Sequence, residues 1–168
     1  MHTLYLVSVW LHIIAAVTWI GGMLFLVTVM VPLLRKPGMR DRAMELFHVT
    51  GVRFRLVGWI ALSTLVLTGI FNILHRGFTL GQLFSGEAFS GAWGHALGGK
   101  LFLVGLILAS SLVHDFYVGP TATRLAQEGA SAERREPFRR AASWLGRVTL
   151  LLALGVVAIA VTLVRGLP

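Results

Sequence analysis

Residues 4–34 read LYLVSVWLHIIAAVTWIGGMLFLVTVMVPLL, a stretch that contains no Lys, Arg, Asp or Glu. About 20 consecutive apolar residues allow an α-helix to cross the hydrocarbon core of a bilayer. The stretch is therefore predicted to be the first transmembrane helix. No basic segment precedes it, and no small-residue cleavage site follows a short apolar core. We therefore interpret it as an uncleaved helix and not as a signal peptide.

Three further apolar runs occur at residues 52–74, 100–118 and 145–164. Hydrophobic residues make up 56% of the 168 residues and charged residues 13%, a composition typical of membrane proteins. The sequence predicts an all-α integral membrane protein, a bundle of four transmembrane helices that forms one domain over residues 1–168. The predicted connecting segments are residues 35–51, 76–99 and 119–144.

The net charge of +8 comes from two short regions of the chain. All but three of the 15 Lys and Arg residues lie in or directly beside residues 35–51 and 119–144. Connecting segments rich in Lys and Arg stay on the cytoplasmic side of a membrane, so both termini are predicted on the outer side. Charge distributed in this way indicates membrane topology and contact with anionic lipid, and it argues against nucleic-acid binding.

Histidine is the residue type on which the functional hypotheses depend. The chain has no Cys, which excludes disulfides, thiolate metal sites and covalent c-type haem attachment. Ionisable residues inside a transmembrane helix are costly and indicate a functional role. The predicted topology places His12, His75 and His95 in the outer half of the bilayer, and His48 and His114 in the inner half. For each of them a packing or hydrogen-bonding role is the alternative.

The outer histidines form the stronger candidate site, because His12 can converge with His75 and His95 just beneath the outer surface. Imidazole binds haem iron, copper and zinc. A b-type haem needs axial imidazole ligands, and its propionates need cationic or hydroxyl partners. Arg76 and Lys100 are the cations near the outer ends of the second and third helices. The same arrangement would suit a quinone headgroup.

The inner histidines form a second candidate site, in which His114 and His48 converge near the inner surface. Asp115 directly follows His114. Consecutive residues of an α-helix do not face each other, so we expect Asp115 on a different side of its helix.

Three stretches of the chain carry a resemblance to known membrane domains: WLHIIAAVTWIGGMLF at 10–25, LTGIFN at 67–72 and GGKLFLVGLILASSLVHDFYVGP at 98–120. Together they resemble the copper-resistance D (CopD) type of membrane domain, and they are similar to the four-helix protoporphyrinogen oxidases of bacteria. The resemblance implies a four-helix bundle in a bacterial plasma membrane, with His12 at the position of the family's helix-one histidine. In such a membrane the outer side, on which the charge distribution places the termini, is the periplasm. In the porphyrin branch that histidine is associated with haem b, and in the copper branch the domain is linked to copper uptake or tolerance.

The leading hypothesis from the sequence is a haem-b-binding protein for electron transfer or redox chemistry near the outer surface. His12 is the predicted axial ligand, with His75 or His95 as its partner, and His114 with His48 would hold a second group. One alternative is a copper-binding or copper-delivery protein that uses the same histidines.

A second alternative is a structural or assembly subunit. The sequence does not assign a catalytic mechanism, because no nucleophile–base pair stands out. Electron transfer would require a quinone or a protein redox partner. The small-residue face through Gly58 and Ala61 is compatible with a homodimer.

Overall fold

The structure is a computed structural model that describes residues 2–33, 36, 38 and 40–165, with the side chains of 40–44, 47, 48 and 126 excepted. Every regular element within these residues is a helix. We number five helices: α1, His2–Leu33; α2, Arg40–His75; α3, Leu80–Ser85; α4, 91–127; and α5, Ala132–Arg165. Two of them include a π-helical turn. In α1 it is Leu26–Met30, and in α4 it is His114–Val118, between Gly91–Val113 and Gly119–Gln127.

Four of the described helical segments are long enough and apolar enough to cross a membrane. They are His2–Leu33, Val49–His75, Gly91–Leu125 and Ala132–Arg165. The prediction of an all-α chain with four such helices is confirmed. The chain forms two compact units, Met1–Ser85 and Gly86–Pro168, and each unit is described separately below.

In the N-terminal unit, α1 packs against α2 through small residues. The ring of Trp19 is 6% exposed, and Gly58 lies against it, where a Cβ would stand 3.5 Å from Cδ1 of Trp19. Further along, the ring of Phe54 covers Gly22 so closely that a Cβ there would overlap it. Small residues allow two helix backbones to approach in lipid, where the packing of side chains drives association. The small-residue face of α2 is therefore the face that α1 covers.

In the C-terminal unit, α4 packs against α5 in the same manner. Gly155 of α5 faces Leu103, and Gly99 of α4 faces Ile159. Before α4, the 3₁₀ turn Glu87–Phe89 lies so close to Gly94 that a Cβ there would stand 2.8 Å from a backbone carbonyl oxygen. Only glycine fits this position without a shift of the backbone.

Several helices extend beyond the apolar runs that predicted them. The amphipathic segment before residue 52 continues α2 back to Arg40, and charged residues continue α5 back to Ala132. Hydropathy reports the part of a helix that lies in lipid, and a helix can continue into water at either end. The segment 76–99 is predicted as a connecting segment, and it is rich in glycine, a poor helix former. Instead α4 begins at Gly91, where the preceding turn packs on its glycines.

Candidate functional site

His12 is fixed by a hydrogen bond that joins the two helices of the N-terminal unit. Its Nδ1 lies 2.8 Å from Oγ1 of Thr68, and both residues are partly buried. The Thr68 hydroxyl has one proton, which it donates to the carbonyl oxygen of Thr64 at 2.6 Å. Oγ1 of Thr68 therefore accepts the hydrogen bond, and His12 carries its proton on Nδ1. In this tautomer the lone pair of the ring lies on Nε2, the atom through which such a histidine binds a metal.

His75 is the last residue of α2, beside the start of α1, and stacks on aromatic rings. Its ring centroid is 4.6 Å from that of Tyr5 in α1, with an angle of 15° between the ring planes. The ring of Phe71, one turn earlier in α2, is 6.0 Å away at 16°. The imidazole thus belongs to an aromatic stack that joins the ends of α1 and α2.

Between His12 and His75 along the helix pair lie two buried polar atoms that have no hydrogen-bond partner. They are Oγ of Ser8 and Oδ1 of Asn72, and the Ser8 residue is only 8% exposed. The antiparallel register that pairs His12 with Thr68 brings Ser8, one turn nearer the start of α1, to the level of Asn72. A buried polar atom without a partner costs about 1–3 kcal/mol, so such atoms indicate that something polar belongs beside them.

These residues form a row of polar and aromatic side chains at the end of the α1–α2 contact where α1 begins and α2 ends. The sequence predicts that this end faces outward, so we call the row the outer polar seam; it consists of Tyr5, Ser8, His12, Thr68, Asn72 and His75. The rest of the contact toward Trp19 and Gly58 is apolar or small. Polar side chains are thus concentrated at one end of the unit, around His12.

Within the seam, the structure does not bring His12 and His75 to one point. Thr68 and His75 are seven residues apart in α2, which is about 10 Å along a helix axis. Two imidazoles on one metal ion have their nitrogens within about 4 Å of each other, since each metal–nitrogen bond is about 2 Å long. His12 and His75 therefore lie at different levels, and each has its own neighbour on the opposite helix.

The other residues of the predicted outer site lie just after α2 and in the first three turns of α4. His95 is in the first turns of α4, where Nδ1 donates to the carbonyl oxygen of Gly91 at 2.7 Å, and the residue is exposed. Lys100 lies further along α4 and is half-buried. Arg76 directly follows α2 and is exposed. Their roles as propionate partners, and that of His95 as a second ligand, stay predictions.

Of the two histidines predicted near the inner surface, His114 lies in the π turn of α4, and Nδ1 donates to Oδ1 of Asp115 at 2.8 Å. The two adjacent side chains thus meet, and the expectation that Asp115 lies on a different side of the helix stays a prediction. His48 lies in α2, but its side chain is outside the described residues. A shared site of His48 and His114 therefore stays a prediction.

A second hydrogen bond between helices lies one turn from His114. Ser110 donates to the carbonyl oxygen of Ile107 at 3.0 Å, and its oxygen lies 2.8 Å from Oγ1 of Thr149 in α5. Thr149 is 5% exposed. The two hydroxyls share one hydrogen bond, in which either oxygen can be the donor. Each unit thus has a hydrogen bond that crosses between its two long helices.

Among the side chains that the structure describes, no group of three His, Cys, Asp or Glu residues is placed to hold a metal ion. Sequence reasoning had identified His12 but missed Ser8 as its neighbour. The signal was the four-residue spacing of Ser8 and His12 in α1 and of Thr68 and Asn72 in α2, which places each pair on one helix face.

Comparison with known proteins identifies the class of this chain. Residues 14–131 match the model of a domain of unknown function, DUF4149, and the chain belongs to that family. The matched residues contain the α2 half of the outer polar seam and begin just after His12.

One similar protein comes from Aquifex aeolicus (strain VF5) and is described as an uncharacterized protein. It is 33% identical over 160 residues, which cover 93% of this chain and 92% of the relative. No solved structure matches the chain.

Proposed function

We propose that this chain is a membrane haem-b protein in which His12 supplies the axial ligand, for electron transfer or redox chemistry near the outer membrane surface. The observation that carries the proposal is the hydrogen bond from His12 to Thr68. It holds the imidazole at the boundary between two membrane-spanning helices, with Nε2 as the atom that can bind iron. A hydrogen bond on the other ring nitrogen is what usually orients a metal-binding histidine.

The residues around His12 fit a bound group of this kind. Gly69 lies beside the imidazole, and a Cβ there would come 3.6 Å from Cε1 of His12, so the ring has no bulky neighbour on that side. Ser8 and Asn72 present buried polar atoms without partners one turn away. A polar substituent of a bound molecule, or a water that accompanies it, would satisfy these atoms.

In this proposal the protein's own residues bind and orient. Thr68 fixes the tautomer and the direction of the His12 ring, and the Thr64 carbonyl fixes the Thr68 hydroxyl. Haem, when bound, supplies one-electron redox chemistry. His75 is assigned to the aromatic stack and not to the iron, because it lies about 10 Å from the level of His12 along α2. The proposal therefore differs from the sequence hypothesis in its second ligand.

Absorption spectra of the purified full-length protein, with and without added haem, test the proposal. The unaltered protein is expected to show a Soret band that His12→Ala abolishes. His75→Ala is the matched control, since it removes an imidazole from the same unit and should leave the band in place. Thr68→Val should keep the haem but alter the spectrum, because the axial imidazole loses its hydrogen bond.

Several results would contradict the proposal. The absence of a Soret band after haem supplementation would do so, and so would an unchanged spectrum in His12→Ala. Iron and copper are measured in the same samples. Copper bound without haem, and lost in His12→Ala, would favour the copper-binding alternative. If no cofactor is found and assembly with partner proteins survives replacement of the histidines, the structural alternative is favoured.

We also propose that the four helices form one bundle in a bacterial plasma membrane with both termini on the periplasmic side. The distribution of Lys and Arg supports this orientation. Because the chain has no Cys, one introduced Cys is a unique label. Ser85→Cys should react with a membrane-impermeant maleimide in cells whose outer membrane is permeabilised. Ser131→Cys should react only after the plasma membrane is opened, and the reverse pattern would invert the topology.

A further inference from the structure

A charged cavity of about 230 Å³ lies along one face of α5. We call it the arginine pocket, and its lining consists of Glu136, Arg139, Arg140, Ser143, Trp144 and Arg147. These residues follow each other at intervals of three and four, so they share one helix face. Three guanidinium groups and one carboxylate give the pocket an excess of positive charge.

Two of the arginines are held in place by Glu136. Arg139 binds the carboxylate through two bonds, Nε to Oε2 and Nη2 to Oε1, both 2.8 Å long. Arg140 donates to Oε1 through Nε alone, at 2.7 Å. Its two Nη groups are not used in this bond and keep their donors. A guanidinium held in this way is pre-organised for a further acceptor, because less side-chain entropy is lost when one binds.

Arg147 and Trp144 complete the pocket. The described part of the chain offers Arg147 no acidic partner, and Arg147 is exposed. Trp144 is 66% exposed, although its indole is a large apolar group. A guanidinium without a carboxylate, beside an exposed indole, is a combination that suits a surface covered by lipid headgroups.

The position of the pocket along α5 determines which anion it meets. No Lys, Arg, Asp or Glu occurs between Arg147 and Arg165, so Arg147 marks the end of the apolar part of the helix. The headgroup layer on each side of a bilayer is about 5–8 Å thick, half the difference between the full thickness and the hydrocarbon core. Ser143 lies about 6 Å along the axis from Arg147 and Arg140 about 10 Å. The pocket therefore covers the depth of the lipid phosphates.

We propose that the arginine pocket binds the phosphate headgroup of an anionic phospholipid. Arg147 and the Nη groups of Arg140 donate to the phosphate oxygens, and Trp144 lies against the glycerol and upper acyl region. Glu136 has the role of a positioning residue, since it holds Arg140 and makes no contact with the lipid. The site is independent of the outer polar seam, which belongs to the other unit.

Native mass spectrometry of the detergent-purified full-length protein tests the proposal. The protein is titrated with phosphatidylglycerol, with phosphatidylcholine of the same acyl chains, and with inorganic phosphate. Phosphatidylglycerol is expected to bind best. Arg147→Gln should weaken its binding about fivefold and the double variant with Arg140→Gln about thirtyfold, because each basic residue near an anionic surface contributes about a factor of five. Arg165→Gln, at the opposite end of α5, is the matched control and should have no effect.

A second measurement uses the unaltered pocket, so that it does not depend on the folding of an arginine variant. Brominated phosphatidylglycerol should quench the tryptophan fluorescence more than brominated phosphatidylcholine, and Trp144→Phe should remove the difference. Equal quenching by both lipids would overturn the proposal, and so would unchanged lipid binding in the double variant or an equal loss in Arg165→Gln. Binding of inorganic phosphate in preference to the lipid would overturn the assignment to a lipid headgroup.

Discussion

Thr68→Val is the substitution that best isolates the bond on which the outer polar seam depends. Valine keeps the branched shape of threonine and replaces the hydroxyl with a methyl group. The change deletes the acceptor of the His12 proton, 2.8 Å away on the other helix. It also deletes the bond to the Thr64 carbonyl, a bond within one helix. The His12 imidazole then keeps a partly buried Nδ1–H that has lost this acceptor.

The expected loss of stability follows from the kind of bond removed. Side-chain hydrogen bonds between membrane helices contribute about 0.6 kcal/mol on average and about 1.7 kcal/mol at most. A buried donor left without a partner costs about 1–3 kcal/mol, and His12 is only partly buried. We therefore expect Thr68→Val to lower the free energy of unfolding by about 1 kcal/mol and by no more than about 2 kcal/mol.

Thr64→Val is the matched control. Thr64 lies one turn earlier on α2 and donates only to the carbonyl oxygen of Ile60 in its own helix, at 2.8 Å. Such a bond slightly destabilises a helix, so its removal should change the stability by less than about 0.5 kcal/mol. The two variants make the same chemical change on the same helix and differ in whether the bond crosses to α1.

The measurement is equilibrium unfolding of the purified protein in mixed micelles with increasing SDS, followed by far-UV circular dichroism. A double-mutant cycle with His12→Ala separates the pair from its surroundings, and the coupling energy should equal the value of the crossing bond. A cycle with zero coupling would refute the assigned bond. A loss in Thr64→Val as large as that in Thr68→Val would refute it as well.

Three further predictions concern other contacts. Gly94→Ala should destabilise the protein by about 1–3 kcal/mol in the same unfolding assay, because the new Cβ meets backbone atoms. Gly105→Ala, where nothing lies within 4 Å of the new Cβ, should be neutral or stabilising. Equal effects of the two substitutions would contradict the packing described. Ser110→Ala should cost about 0.6–1.7 kcal/mol through the bond to α5, whereas Thr162→Val, which removes a bond within one helix, should cost less than half as much. Thr79 and Gln82 form a reciprocal capping box at the start of α3. Loss of such a cap costs about 1 kcal/mol, so Thr79→Ala should speed hydrogen exchange of the amides in 80–85 about fivefold. An unchanged exchange rate would contradict the cap.

Hydropathy predicted the parts of the fold that lipid determines. Uncharged runs such as 4–34 must hydrogen-bond their backbone internally, so a helix is the available structure. The ends of the helices were not predictable in this way. The start of α4 at Gly91 depends on the close approach of the turn Glu87–Phe89 to Gly94, a tertiary contact that glycine content alone does not reveal. The charged start of α5 at Ala132 was likewise not predictable from hydropathy, because it lies outside the apolar run.

The candidate site was predicted in part for a related reason. An ionisable residue within a long apolar run identified His12, because its placement there is costly. Its partner required the register between α1 and α2, which sets Thr68 opposite His12 and His75 opposite Tyr5. A sequence gives the spacing along each helix but not the offset between two helices. The predicted convergence of His12 with His75 needed an offset that the α1–α2 packing does not have.

The hydrogen bond between His12 and Thr68 also has a consequence for how the protein enters the membrane. When α1 leaves the ribosome, Thr68 has not yet been synthesised, so the imidazole must enter the bilayer without this acceptor or remain beside the translocon. Once α2 arrives, the bond between the two helices lowers the cost of His12 in lipid. The pairing of the two helices therefore stabilises α1 in the bilayer by about 1 kcal/mol beyond what its apolar side chains provide.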